Sequence, residues 1–303
     1  MKRIGVIDVG TNSVLALALD QSQTILFNDY QISEFGKGLS QNNFELRPER
    51  IEATFRIVSD FITEFRRLNI DQISVVGTSA SRDAKNIHRF ANRLLDNFQL
   101  DYRILSGDDE ARLTYLGALS QFENLDQQFL MMDIGGGSTE IINGLADQIR
   151  FQHSFNMGSV RFFDRFQNPD SLSEADIDKL DRLIITEFES IPINSKTDCF
   201  VGIGGTFTTA ASVIHELTEY QPEKISGAAI SYTELDELWA YLNSLPNSER
   251  ELVIGMEKKR SPIILYGMRI YLKFMELHKI DEVIISDRGL RFGVAFEYFS
   301  EGR

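Results

Sequence analysis

The sequence predicts an α/β protein of two related domains, each a mixed five-stranded sheet with flanking helices. Three observations predict it. Three short β-prone runs followed by alternating helical and extended patterns begin at residue 3, and the same order begins again near residue 129. Two matching turns stand at equivalent places in that order: Asp8-Val9-Gly10-Thr11-Asn12-Ser13 follows the apolar run Ile4 to Ile7, and Asp133-Ile134-Gly135-Gly136-Gly137-Ser138 follows Phe129 to Met132. A length of 303 residues suits two domains of ordinary size, each with its own core. The boundaries fall at 1–119 and 120–289, and the C-terminal helix, 290–303, is free in sequence to return to the first domain.

Residues 3–9, 14–19 and 24–30 read as a meander of three strands. From Pro48 the apolar residues Ile51, Phe55, Val58, Ile62 and Phe65 recur at spacings of three and four, an amphipathic helix with proline in its first turn. Ile73 to Val76 is the next strand, and Gly77 to Ala80 is the loop that leaves it. A second helix buries Ile87, Phe90, Ala91, Leu94, Leu95 and Phe98. A strand at Tyr102 to Leu105 leads to Ser106, which has Asp109 three residues on, the pattern of a helix start. The second half repeats the meander at Phe129 to Met132, Thr139 to Gly144 and Ile149 to His153, with later strands at Cys199 to Ile203 and Val283 to Ser286.

Glycine-rich turns after apolar strands turn their N–H groups outward, and such groups form an anion-binding concavity. Ser138 and Thr139 add hydroxyl donors, while Asp133 and Glu140 place a carboxylate at each end of their turn, where a hard cation can bridge protein to phosphate. A glycine-rich hairpin without a ligand would read the same way in isolation. The copy at Asp8 to Ser13 decides against that, as does a third turn, Gly202-Ile203-Gly204-Gly205-Thr206, which leads from a strand into a helix whose N-terminus is a ready anion site.

Composition is that of an ordinary globular protein, 43% hydrophobic and 25% charged. No apolar run approaches the roughly 18 residues of a membrane span, and the start lacks a secretory h-region, so the expectation is a cytoplasmic protein with no membrane partner. A net charge of −14 argues against general nucleic-acid binding. It would also repel a phosphate substrate at long range, but screening limits that to about 8 Å at physiological salt, so local cations decide. Cys199 lies in a strand-like run and reads as a buried small hydrophobe. His88, His153, His215 and His278 are scattered, with no transition-metal spacing.

These motifs resemble those of the actin-like ATPase, sugar kinase and Hsp70 superfamily, and within it the exopolyphosphatase and guanosine pentaphosphate phosphatase family. The narrowing rests on DVGTNS at the N-terminus, TSASRDAKN from Thr78, SGDDEARLTYLG from Ser106, DIGGGSTE from Asp133, MGSVR from Met157, GIGGTFT from Gly202 and SDRGLRFG from Ser286. The resemblance runs over nearly the whole chain. It implies two ribonuclease H-like domains with the active site in the interdomain cleft, and removal of terminal phosphate from polyphosphate, from guanosine pentaphosphate, or from both, with Mg²⁺. Longer relatives carry extra C-terminal domains, and this chain looks like the short form. A homodimer rests on the resemblance alone, since no coiled-coil seam marks one here.

Residue by residue, the resemblance puts Glu110 on the attacking water and Arg82, read as a loop residue, on a phosphate oxygen. Gly10, Thr11, Asn12, Ser13, Gly135, Gly136, Gly137, Ser138, Gly204, Gly205 and Thr206 are the phosphate-binding residues, and Asp133, Glu140 and Asp8 the metal ligands. On position alone Glu110 also suits a first-turn carboxylate that complements the helix dipole. Lys85, Arg89 and Arg93 form a basic stripe at i, i+4, i+8, either a solvated face or a track for a long polyanion. Lys258, Lys259 and Arg260 form a second basic patch, which could lie across the cleft. Two departures from the family stand out: Glu34 where relatives often carry Arg, and Phe292 where an acidic residue is usual. The expected activity is phosphohydrolysis. An ATP-using kinase of the same superfamily and a non-catalytic polyphosphate or alarmone sensor are the alternatives, and the presence of Glu110 argues against the sensor.

Overall fold

The computed structural model describes residues 2–190, 193 and 197–301. The chain forms two compact units, Met1–Gly117 with Gly289–Arg303, and Ala118–Arg288.

In the first unit, strands β1 (Arg3–Val9), β2 (Ser13–Asp20), β3 (Ile25–Ile32), β4 (Ile73–Gly77) and β5 (Tyr102–Ile104) form a sheet of order β3-β2-β1-β4-β5. The meander pairs antiparallel, and β4 and β5 add in parallel beside β1. Helix Pro48–Arg67 buries Ile51, Phe55, Val58, Ile62 and Phe65, the residues its spacing singles out. A Cβ at Gly5 would overlap the Phe65 ring, so glycine lets the helix seat directly on β1. The other face of the sheet is closed by helices Gly107–Leu119 and Leu290–Glu301, whose residues Leu113, Leu290, Phe292 and Val294 pack with Ile4, Val6 and Leu17. Phe292 is thus a core residue. Arg291 fastens its helix to the sheet by donating to Ala16 O at 3.1 Å and Asn28 Oδ1 at 2.6 Å.

In the second unit the strands are β6 (Gln128–Ile134), β7 (Thr139–Leu145), β8 (Gln148–Phe155), β9 (Cys199–Ile203), β10 (Ala229–Ser231) and β11 (Glu282–Ser286), in the order β10-β11-β9-β6-β7-β8. The expected five strands are therefore six. The added β10 pairs antiparallel with β11 over three residues, too few for an alternating pattern to stand out in the sequence. The core gathers β6, β7 and β9 against helices Gly205–Ile214 and Ile264–His278, with Phe207 stacked on Tyr271 at 4.6 Å between ring centroids.

Candidate active site

The duplication read in the sequence is a duplication of geometry. In both hairpins the strands close on a four-residue turn held by one backbone bond, Gly10 N to Ser13 O at 2.9 Å and Gly135 N to Ser138 O at 3.0 Å. The carbonyls of each turn are covered by a following segment. Gly135 O accepts from Ser159 N–H at 3.1 Å, Gly136 O accepts from Val160 and Arg161 N–H at 2.9 and 3.0 Å, and Gly137 O from Arg161 Nε at 2.7 Å. In the first unit Thr11 O accepts from Gly36 N–H at 2.8 Å, and Asn12 O from Ser33 and Glu34 N–H at 3.0 and 2.8 Å. Carbonyl oxygens repel anions. In both turns these carbonyls are engaged by the following segment, as an anion-binding turn would require. Among the described residues of the first unit, the buried Asn12 Nδ2 and Ser33 Oγ have no hydrogen-bond partner, as is also true of Thr54 Oγ1 and Thr114 Oγ1 farther along the chain. Such groups are costly to bury unless a ligand or water meets them.

The two hairpins differ in what faces their aspartates. Asp133 pairs with Glu140 directly across β6 and β7, so the two carboxylates share one face of the ribbon. Like charges in that position destabilise a sheet unless a cation lies with them. Glu140 is buried and accepts from Ser154 Oγ at 2.6 Å. Asp8 instead pairs with Leu15 and Val76. Among the described residues no three acidic, His or Cys side chains gather as a metal-binding group. Two carboxylates completed by water and phosphate oxygens are nonetheless a sufficient set for Mg²⁺, so the Asp133–Glu140 pair fits that ion.

The third turn lies beside Asp133. β6 and β9 place Asp133 opposite Ile203, and Gly204 follows with φ +91°, a backbone conformation that favours glycine. A Cβ there would stand 2.6 Å from Asp133 Oδ1 and 2.8 Å from Ile134 O. At the next residue, a Cβ on Gly205 would overlap the guanidinium of Arg260. Asp133 and Arg260 therefore flank one turn, a carboxylate against Gly204 and a guanidinium against Gly205. Arg260 belongs to the second basic patch named in the sequence, and it sits on the glycine turn of the second unit with Glu257 Oε2 3.2 Å away.

Arg82 and Glu110 come together in the first unit. Residues 79–83 are a short helix, Ser79–Asp83, so Arg82 is a helical residue and not a loop residue. Ser81 Oγ, 2.6 Å from Tyr102 Oη, ties that helix to β5. Glu110 stands in the first turn of helix Gly107–Leu119, whose start is capped as predicted: Asp109 N–H donates to Ser106 Oγ at 3.0 Å. Arg82 Nη1 donates to Glu110 Oε2 at 2.5 Å and to Leu105 O at 3.1 Å. Glu110 is 8% exposed. Burial pushes its carboxyl above the usual carboxylate range, against the pull of Arg82.

The remaining sequence candidates fall outside this set. Arg93 ends the basic stripe in a packing contact, with Nη1 2.8 Å from Glu52 Oε2 and the guanidinium 3.9 Å over the Phe55 ring. Lys85 donates to Asn43 Oδ1 at 3.0 Å. Cys199 is buried in β9, and burial together with Glu282 and Asp198 pushes its thiol up to about 11, the behaviour of a packing residue. Arg260 is named in the sequence only as part of a basic patch; its place on Gly205 is not readable there, because no local spacing relates residue 260 to residue 205.

Known proteins share this architecture and these motifs. The chain is 28% identical to the bifunctional 3-dehydroquinate synthase/phosphatase of Fusobacterium nucleatum over 96% of its length, and it spans about half (46%) of that protein. It is 24% identical to exopolyphosphatase 2 of Mycobacterium tuberculosis, with 97% of this chain and 98% of that protein covered. The crystal structure of the Aquifex aeolicus member of the Ppx/GppA protein family superposes with a TM-score of 0.83 at 26% identity, covering 100% of this chain and 99% of that one. The family model for Ppx/GppA phosphatases matches residues 14–301, and the chain belongs to the Ppx/GppA phosphatase family.

Proposed function

We propose that the protein is a Mg²⁺-dependent phosphohydrolase that releases terminal orthophosphate from inorganic polyphosphate, with the 5′-γ-phosphate of guanosine pentaphosphate as a second substrate. The observation that carries this reading is the buried Arg82–Glu110 pair. A carboxylate held out of water, with its pKa raised by burial, is a stronger base than an ordinary surface carboxylate, and its guanidinium neighbour suits a phosphate oxygen. The relative named exopolyphosphatase, which this chain matches from end to end, supports the substrate class.

In this reading the N–H edges of the turns at Gly10 to Ser13, Gly135 to Ser138 and Gly204 to Thr206 hold phosphates, and Arg260 adds charge at the third. Arg82 donates to a non-bridging oxygen of the terminal phosphoryl group. Glu110 orients a water and accepts its proton as the water oxygen attacks phosphorus. The bridging P–O bond breaks in line, and the shortened chain leaves with the electron pair. Asp133 and Glu140, with Asp8 as a further candidate ligand, would hold Mg²⁺, which would supply positive charge to the phosphate oxygens.

The test is phosphate release from long-chain polyphosphate, guanosine pentaphosphate and ATP in parallel, with wild type and Glu110→Gln. A loss of about 10²- to 10⁴-fold in the variant is expected for removal of a general base. Undiminished turnover by the variant would take Glu110 out of its role. No release from the first two substrates by wild type would overturn the reading.

A further inference from the structure

The segment after β3 does more than cover the carbonyls of the first phosphate turn. It gathers positive charge there. Glu34, anchored by its N–H on Asn12 O, has φ +52°, a conformation uncommon for a residue other than glycine, asparagine or aspartate. Its two carboxylate oxygens are divided between two cations, Oε1 with Lys37 and Oε2 with Arg50 Nη1 at 2.7 Å. A third cation is beside them, since a Cβ on Gly38 would stand 3.1 Å from Arg47 Nη2. Two cations on one carboxylate, with a third against the neighbouring Gly38, are notable in a chain of net charge −14. The segment also reaches the helix that carries Arg82, because a Cβ on Gly36 would lie 2.6 Å from Thr11 Cγ2 and 2.9 Å from Ala80 Cβ. The buried Asn12 Nδ2 and Ser33 Oγ, without hydrogen-bond partners among the described residues, lie on the turn and the segment that covers it, where a ligand or water can meet them.

We propose that Lys37, Arg47 and Arg50 form a subsite for the phosphates that continue a linear polyanion past the group held on the Thr11 to Ser13 turn, and that Glu34 is a specificity residue that weakens this subsite. The inference rests on the phosphohydrolase reading and names the part of the substrate that this face discriminates. The logic is electrostatic. Glu34 engages two of the three cations in ion pairs, and an incoming phosphate must share or displace its carboxylate. Lys37 and Arg50 keep 41% and 28% of their side-chain surface, so an anion from solvent can reach them. A short anion that fills the turn alone does not meet this competition. A long chain meets it at every binding event.

The experiment is a calorimetric titration of the full chain, in metal-free buffer so that binding is read without turnover. Tripolyphosphate and long-chain polyphosphate are each added to wild type and to Glu34→Gln. The expected result is that Glu34→Gln tightens long-chain polyphosphate about fivefold at low salt and less at 0.15 M, where screening takes over, with a change under about twofold for tripolyphosphate. Adding Arg50→Met to Glu34→Gln removes the gain. An equal change for both ligands, or no gain for the long chain, overturns the proposal. If Glu34→Gln does not fold, Arg50→Met alone carries the test, because it must weaken the long chain more than tripolyphosphate, and an unchanged ratio overturns the proposal. Failure of wild type to bind either ligand falls on the phosphohydrolase reading itself, whereas binding that is indifferent to Glu34 and Arg50 leaves that reading standing and removes only the subsite.

Discussion

Arg82 Nη1 and Glu110 Oε2 lie 2.5 Å apart, and two opposed effects act on the carboxyl they share. Burial raises its pKa, the charge and hydrogen bond of Arg82 lower it, and burial prevails. A base that works ionised loses activity as pH falls through that raised value, so kcat/KM should have an acidic limb above the ordinary carboxylate range of about 4.3. Arg82→Met removes the lowering influence and should move the limb to higher pH, in addition to any loss of rate. A pH–rate profile of both proteins reads this, and a limb that stays put or moves down would show that Glu110 does not set it.

The same shift has a consequence for stability with a definite sign. A carboxyl whose folded pKa lies above its unfolded value stabilises the fold while protonated in both states, and that contribution is lost as pH rises through the folded value. Ionised Glu110 is therefore a cost to the fold, one that a role as general base would require. Glu110→Gln keeps a side-chain oxygen to accept from Arg82 and removes the buried charge. Its Tm at pH 7 should equal or exceed that of wild type, with the difference shrinking toward pH 4. A variant markedly less stable at neutral pH would mean that the ion pair with Arg82 outweighs burial.

Asp133 and Glu140 face each other across β6 and β7, so a cation bound between them would stabilise this unit. Without metal the facing carboxylates cost about 0.2–1 kcal/mol. Asp133→Asn relieves this and should raise the metal-free Tm by about 1–3 °C for a unit of this size. Wild type should gain Tm on addition of Mg²⁺, since an ion that binds the folded state stabilises it by mass action. The variant should lose most of that gain. Thermal denaturation with and without Mg²⁺ gives both numbers, and an Mg²⁺-induced shift that survives in the variant would place the ion elsewhere.

How much of this was legible in the sequence depends on the distance over which residues act. The hairpins were legible because turn chemistry is local: Asp, a β-branched residue and a small-residue turn closing on Ser appear in both halves, and the turns have the same closing bond. Their difference was legible too, since the residue two places past each Ser is Leu15 in one and Glu140 in the other. The start of helix Gly107–Leu119 follows from Ser106 and Asp109, three residues apart. The partners of the basic residues were not legible, because they come from tertiary packing. Arg93 reads as one member of a solvated stripe until helix Pro48–Arg67 brings Glu52 and Phe55 against it. Arg260 reads as one member of a basic patch at 258–260 until the chain sets it on Gly205.

That last contact separates chemistry from folding at a single position. Gly205 opens helix Gly205–Ile214 without a left-handed φ, so alanine suits its backbone, and the atoms its Cβ would overlap are the mobile end of Arg260. Gly205→Ala should therefore fold with a Tm near that of wild type, helped by better helix propensity, while it pushes the guanidinium off the turn. If Arg260 contacts a phosphate there, losing that charge-assisted bond costs about 1.5–3 kcal/mol, or roughly 10- to 150-fold in kcat/KM. Arg260→Met should show a similar loss, and the two losses should not add, since each removes the same contact. Gly204→Ala is the contrasting case. Its φ of +91° and the approach of Ile134 O at 2.8 Å involve backbone that cannot swing away, so it should lower Tm as well as rate. Steady-state kinetics and thermal denaturation of the three variants check this, and full activity in Gly205→Ala would remove Arg260 from the phosphate turn.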